Sequence, residues 1–175
     1  MQLHVSDMAP PFSTLDDEGK KVSLGDYMGK TNIVLYFYPK DFTMGCTKES
    51  CTFRDRWDDI RALGAVVLGI SSDGEGSHRE FKKKYSLPFT LLSDPGQEIR
   101  NLYGVKGRYL PLPSRVTFVI DKDGKIRDIF NSQLNVSKHV ENAVEVLKKI
   151  RDEEQQQRQT VQERSAMANS GMNHS

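Results

Sequence analysis

The only two thiols of this 175-residue chain, Cys46 and Cys51, lie five residues apart in the segment Pro39-Lys40-Asp41-Phe42-Thr43-Met44-Gly45-Cys46-Thr47-Lys48-Glu49-Ser50-Cys51. The apolar run Ile33-Val34-Leu35-Tyr36-Phe37-Tyr38 precedes it and reads as a buried strand that feeds a turn, from which a helix opens. A cysteine in the first turn of a helix faces unpaired backbone N–H groups at the positive end of the helix dipole, an arrangement that favours the reactive thiolate. Arg115 is a candidate second partner for the sulfur. It begins a strand expected in the interior, an expensive place for a cation without a counter-charge. Thr43 can turn its hydroxyl into the same pocket. Pro39, with no N–H, ends the strand and can shield the sulfur from water.

Helix geometry limits what Cys51 can do. On one continuous helix the two cysteines are about 7.5 Å apart along the axis and roughly 140° apart around it, with Cα atoms about 8 to 9 Å apart. A disulfide needs Cα atoms within about 7 Å and facing side chains. The pair therefore cannot bond while the helix is intact: either no bond forms, or the helix melts locally during a redox cycle. Other cysteine chemistries are absent. A tyrosine-phosphatase loop needs Cys-x5-Arg, but Thr52 and Trp57 stand six residues after Cys46 and Cys51. A thioredoxin-type site needs Cys-x-x-Cys, two residues shorter. The histidines His4, His78, His139 and His174 are scattered without ligand spacing, so neither a metal site nor a cofactor is expected. The plain structural alternative is that both cysteines are small buried hydrophobes on an amphipathic helix.

The elements that must position these residues follow from pattern. Ser13 to Leu15 and Lys21 to Ser23 flank a hairpin signal. Thr31 to Tyr38 is the central strand, Thr47 to Leu63 a helix with Phe53, Trp57, Ile60 and Leu63 on one face and Gly64 as its stop, and Ala65 to Ile70 the next strand. Ser77 is a candidate cap for a helix carrying Phe81 and Tyr85. A strand at Phe89 to Leu92 and a short helix at Gln97 to Tyr103 follow. A second hairpin joins Arg115–Ile120 to Lys125–Phe130 around Asp121-Lys122-Asp123-Gly124. Val136 to Ile150 is amphipathic. Strands alternating with helices, with hairpins at both ends, imply an α/β fold with a mixed central sheet. Residues 1–150 are expected to form one domain. Residues 151–175, rich in glutamine and without an aromatic residue, are expected to be a frayed helix end followed by a disordered polar tail.

With 25 basic and 24 acidic side chains the net charge is +1, which gives no reason to expect nucleic acid or an anionic membrane as partner. No apolar run approaches the roughly 20 residues of a membrane span. The first residues lack the basic start and apolar core of a secretory signal, so a cytoplasmic location is expected, with an organellar mature form left open. Two cysteines are too few for a disulfide scaffold and in a reducing compartment point to catalysis.

Together these residues resemble the peroxiredoxins. Pro39, Thr43 and Cys46 meet the family pattern Pro-x-x-x-Thr-x-x-Cys, and the wider string from Tyr36 to Cys51 looks like the Q-type, or bacterioferritin comigratory protein, subgroup. The segment Arg115-Val116-Thr117-Phe118-Val119-Ile120-Asp121 looks like that family's arginine strand. The resemblance covers about Val5 to Ile150 and implies a thioredoxin-like fold and a thiol peroxidase acting on hydrogen peroxide or organic hydroperoxides. Cys46 would be the peroxidatic cysteine, with Thr43 and Arg115 holding the peroxide oxygens and Pro39 covering the site. Glu49 matches an acidic position that orients the arginine, although a solvated helix glutamate is as good a reading of that residue alone. Cys51 would resolve the sulfenic acid as an intramolecular disulfide, reduced by thioredoxin or a similar dithiol protein. Resolution within one chain needs no dimer, and the resemblance implies a monomer. Met44 departs from the proline usual in the subgroup. Two other readings use the same thiols: a peroxide-sensing relay that passes its disulfide to a partner, and a general thiol–disulfide exchanger, which would need no clamp for peroxide oxygens.

Overall fold

The computed structural model describes residues 2–105 and 114–172. A small antiparallel hairpin, β1 (Ser13–Leu15) and β2 (Lys21–Ser23), comes first. The main body then runs β3 (Asn32–Phe37), α1 (Met44–Asp55), α2 (Trp57–Ala62), β4 (Ala65–Ser71), α3 (Glu75–Tyr85), β5 (Thr90–Ser93), α4 (Glu98–Leu102), β6 (Val116–Ile120), β7 (Ile126–Asn131) and α5 (Val136–Met172). The five-stranded sheet has the order β5-β4-β3-β6-β7. Strands β3, β4 and β5 are parallel; β6 and β7 add to the other side antiparallel. The sheet is mixed, as the segment order implies.

Strand β3 is central and buried at every position. Its side chains alternate strictly. Val34 and Tyr36, with Tyr38 just beyond, enter a core shared with Phe53, Ile60, Phe81, Val140 and Leu147 from the helices on one face. Ile33, Leu35 and Phe37 enter a second core with Ile99, Tyr103 and Phe118 on the other. Burying each such side chain is worth about 1.5 to 3 kcal/mol, so this strand is the rigid base from which the chain turns at Pro39.

The structure departs from the sequence expectations at three places. The single helix expected over Thr47 to Leu63 begins three residues earlier and breaks at Arg56 (φ −103°, ψ 9°) into α1 and α2. The apolar spacing continues across the break because Phe53 and Ile60 both still reach the core. Gly64 ends α2 at φ +74°, as a C-terminal glycine should. Helix α3 starts after Gly74, not at Ser77; Ser77 instead donates its hydroxyl to Asp41 Oδ2 at 2.9 Å.

The third departure is the polar C-terminal segment, expected to be a frayed helix end and a disordered tail. It continues α5 as a helix as far as Met172, while residues 173–175 lie outside the described ones. Ile150 is the last buried residue of this helix. Beyond it, Glu153 bonds Arg127 and Glu154 lies 3.7 Å from Lys122, so the first extra turn is tied to the body. Gln, Glu, Arg, Ala and Met are good helix formers, and no proline intervenes. Composition without burial argues against a core, but not against a helix that grows from a packed stem. Among the described residues no helix is long and apolar enough to cross a membrane.

Candidate active site

The loop between β3 and α1 is latched from below. Asp41 accepts the Tyr38 hydroxyl on Oδ1 at 2.6 Å, and on Oδ2 it meets Ser77 Oγ at 2.9 Å and His78 Nδ1 at 2.7 Å. Its own amide donates to Asp73 Oδ2 at 2.8 Å. His78 Nε2 lies 2.9 Å from the Leu92 carbonyl. Asp41, Asp73 and His78 bring metal-ligand atoms within 4.8 Å of one another. Tyr38, Ser71, Ser77 and a backbone amide already donate to these carboxylates, so the cluster serves as a structural latch. It secures a backbone that is otherwise unfavourable: Phe42 has φ +66°, a region poor for a bulky side chain. Its ring packs 5.2 Å from Phe81.

Thr43 is extended and forms the N-cap of α1; its carbonyl accepts the Thr47 amide at 2.8 Å. Its hydroxyl does not turn to the sulfur. It donates to the Lys40 carbonyl at 2.8 Å, which leaves the oxygen lone pairs as acceptors for a group above the site. Pro39 is half-buried where β3 ends. Met44 is 90% exposed, next to the site but outside it.

Cys46, the third residue of α1, is completely buried. Arg115 Nη2 donates to its Sγ at 3.4 Å, and Arg115 Nη1 donates to Glu49 Oε1 at 2.8 Å. The guanidinium is itself 4% exposed. It precedes β6, the neighbour of β3, so the sheet brings together two residues 69 positions apart. Gly45 makes the approach possible: a Cβ there would lie 3.0 Å from Arg115 Nη2. Glu49 is fully buried and bonded to Arg115, not a solvated helix glutamate. Three residues, a little under one helical turn, separate it from Cys46, so both side chains lie on the buried side of α1 and share Arg115. Burial pushes the Glu49 carboxyl up to about 7, with Arg115 opposing. Burial works against the Arg115 charge, but Glu49 and Cys46 outweigh it and raise its affinity for the proton.

Two residues escaped sequence reasoning. Arg100 of α4 donates to the Tyr38 carbonyl at 3.1 Å and to the Ser114 carbonyl at 2.8 Å. It ties the backbone just before Pro39 to the backbone just before Arg115. His139 of α5 has no exposed surface. Its Nε2 faces the Ser132 carbonyl at 2.7 Å and its Nδ1 faces Thr117 Oγ1 at 2.8 Å. Nε2 donates to the carbonyl, and because burial keeps the ring neutral, Nδ1 accepts the Thr117 hydroxyl. Burial pulls His139 down to about 4, Ser132 opposing and Arg115 reinforcing. Its Nδ1 is also 3.7 Å from Glu49 Oε2, too far for a hydrogen bond. The amphipathic spacing of Val136, Val140 and Ala143 carried a signal for His139, because position 139 falls on the same buried stripe. Arg100 had none.

Cys51 is separate from all of this. It lies on the second half of α1, half-buried, and burial pushes its thiol up while Arg54 opposes. Both thiols are free, on one unbroken helix, in the geometry that forbids a bond between them.

The sequence model of the AhpC/TSA family matches residues 5–129. The chain is 46% identical over 143 residues to a chloroplastic peroxiredoxin Q of Oryza sativa subsp. japonica, covering 81% of this chain and 65% of the relative. It is 45% identical over 143 residues to a chloroplastic peroxiredoxin Q of Sedum lineare, covering 81% of this chain and 76% of that one. The chain thus spans about two thirds of the length of the rice relative it matches. Among solved structures, peroxidoxin BcpB from Mycobacterium tuberculosis superposes with a TM-score of 0.80 at 32% identity, over 85% of this chain and 99% of that one. Peroxiredoxin Q of Xanthomonas campestris does so with a TM-score of 0.74 at 27% identity, over 80% and 91%.

Proposed function

Because the chain belongs to the AhpC/TSA family, in its peroxiredoxin Q branch with a thioredoxin-like fold, we propose that it is a thiol peroxidase that reduces hydrogen peroxide and organic hydroperoxides. One observation carries this reading: a buried arginine shared between Cys46 Sγ and Glu49. A thiol that only exchanges disulfides needs no such clamp. A peroxide has two adjacent oxygens to hold, and its leaving oxygen acquires negative charge as the O–O bond breaks.

The chemistry then runs on this chain's own groups. The Cys46 thiolate attacks the terminal oxygen of ROOH. The S–O bond forms, the O–O bond breaks, and RO⁻ leaves and takes up a proton as ROH. Cys46 is now a sulfenic acid, two electrons more oxidised. Arg115 donates to the oxygen on which charge develops. The Thr43 oxygen, its hydrogen committed to Lys40, accepts the peroxide O–H and orients it. Glu49 holds the guanidinium in place, and Pro39 covers the sulfur. Cys51 then attacks the sulfenic sulfur, releasing water and leaving a Cys46–Cys51 disulfide. Thioredoxin or another dithiol protein reduces that disulfide.

The disulfide requires α1 to unwind between Cys46 and Cys51, so each turnover includes a folded and a locally unfolded form. While α1 is folded, burial keeps Cys51 protonated and out of reach. The cycle closes within one chain, and a monomer suffices. A reducing compartment, the cytoplasm or an organelle interior, suits it, because the dithiol donor must be kept reduced.

The test is intact mass and peroxide consumption with one equivalent of hydrogen peroxide, with and without thioredoxin and its reductase. The wild-type chain should lose two hydrogens and turn over with the donor. Cys51→Ser should react once and stop at the sulfenic or a higher acid. Peroxide loss in Cys46→Ser at the wild-type rate would refute the reading.

A further inference from the structure

The Glu49–Arg115 pair leaves something over. Arg115 engages only one carboxylate oxygen; Glu49 Oε2 is buried without a hydrogen-bond partner. An unpaired buried carboxylate oxygen is costly. His139 Nδ1, on a different helix and also fully buried, lies 3.7 Å from it. Arg115 therefore lies between two potential anions, the sulfur on one side and Glu49 on the other, with a neutral imidazole behind Glu49; the charge of Arg100, which also faces the sulfur, is balanced mainly by Asp94.

Full ionisation of both Cys46 and Glu49 would place two negative charges on one guanidinium away from water. Groups coupled this closely titrate as a unit. One anion per cation is the arrangement that a low-dielectric site tolerates. A proton on Glu49 Oε2 has a ready acceptor, because His139 Nδ1 needs only a small approach and release of the Thr117 hydroxyl to receive it.

We propose that Glu49 and His139 form a proton-holding pair behind Arg115, and that His139 is a positioning residue for the Cys46 chemistry. When Cys46 gives up its proton, the pair takes one up, so the Arg115 charge is left to the sulfur and the incoming peroxide while Glu49 Oε1 still accepts from the guanidinium and holds it in place. When Cys46 is protonated or oxidised to a neutral acid, the pair gives the proton up and the Glu49 carboxylate again balances the Arg115 charge. The net charge of the buried site is the same in both states. The proposal rests on Cys46 being the reactive thiol of the proposed function.

The other groups around the pair do not replace His139 in this role. On α1, Cys46 faces Arg115. From β3, Tyr36 reaches across to Ser50, and its hydroxyl proton is held by burial. From β6, Thr117 supplies a hydroxyl but no titration near neutrality. From β7, the Phe130 ring stands nearly perpendicular to that of His139, centroids 4.7 Å apart, an apolar wall. From α4, Arg100 faces the sulfur and is committed to two backbone carbonyls.

The test reads protons directly and uses no peroxide. In the reduced wild-type chain with carbon-13-labelled glutamate, the Glu49 carboxyl signal is titrated by NMR and compared with Cys46→Ser. With the competing anion removed, the Glu49 midpoint should fall by about one pH unit or more. An unchanged midpoint overturns the proposal, whatever the peroxidase assay shows. His139→Asn keeps an acceptor toward Thr117 but cannot share the proton. It should shift the pH profile of Cys46 alkylation by iodoacetamide, by about threefold or more in rate at the pH of steepest change. Glu49→Gln combined with His139→Asn should give the same profile as Glu49→Gln alone. A His139→Asn profile that superimposes on the wild type, or effects that add in the double variant, would contradict it. Should His139→Asn not fold, the wild-type and Cys46→Ser titrations decide.

Discussion

Cys46 and Cys51 occupy one helix only five residues apart, yet their surroundings have almost nothing in common. Cys46 has no exposed surface. It sits at the first turn, under a guanidinium that also grips Glu49, above a loop latched through Asp41, Ser77 and His78. Cys51 is half-buried beside Arg54 and Asp55, in an ordinary helix environment. Five residues are about 1.4 turns, so what lies under one end of α1 cannot lie under the other. The difference teaches that the surroundings are built around one thiol alone; in the proposed cycle the second thiol waits for the helix to open.

The contrast can be broken in order of decreasing effect. Cys46→Ser should lower the peroxide reaction rate at least about 10⁴-fold, as for other removed nucleophiles, measured by stopped-flow consumption of hydrogen peroxide. The Cys51→Ser first turnover should stay close to wild type. Arg115→Gln keeps much of the volume but removes the charge and the fork; a loss of about 10² to 10³-fold in the same assay is expected for losing a donor to a developing anion. Gly45→Ala adds a single methyl 3.0 Å from Arg115 Nη2. A displacement of a few tenths of an ångström should cost on the order of tenfold, with stability close to wild type. Equal rates for glycine and alanine would mean that the arginine need not lie where it is seen.

Stability against pH gives the smallest and most specific signal. In the folded chain His139 holds its proton more weakly, near 4 against an ordinary 6.5, so its contribution is present above pH 6.5 and lost as pH falls toward 4. Glu49 holds its proton more tightly when folded, near 7 against 4.5. Its contribution is present below pH 4.5 and lost as pH rises toward 7. The two slopes oppose each other across pH 4.5 to 6.5. Glu49→Gln removes one of them, and urea melts of this variant should lose stability on acidification more steeply than wild type, by at most about 1.4 kcal/mol per pH unit. Parallel curves for the two proteins would show that these groups do not titrate as their burial requires.

Much of this was legible in the sequence because it is local. The run from Ile33 to Tyr38 could only be an interior strand, and the turn after it could only open a helix. Arg115 was identifiable as an interior cation in want of a partner. What was not legible depends on tertiary contact. Glu49 is singled out only by the resemblance; by residue type alone it looks like any helix glutamate until α5 and β6 close over it. His139 sits on a readable apolar stripe, but its partners Thr117 and Ser132 come from the neighbouring hairpin. Arg100 gives no hint that it joins two loops. The C-terminal extension differs for another reason: its composition predicts little burial, but helix-forming residues on an already packed stem need little further stabilisation to continue α5 to Met172.

The central claim is that one helix both prepares Cys46 and keeps Cys51 away from it. Amide hydrogen exchange across residues 44–53, followed by mass spectrometry in the dithiol form and in the form oxidised with one equivalent of peroxide, tests it directly. The account predicts strong protection in the dithiol form and markedly faster exchange once the Cys46–Cys51 disulfide has formed. Equal protection in both forms, with the disulfide verified by intact mass, would contradict it.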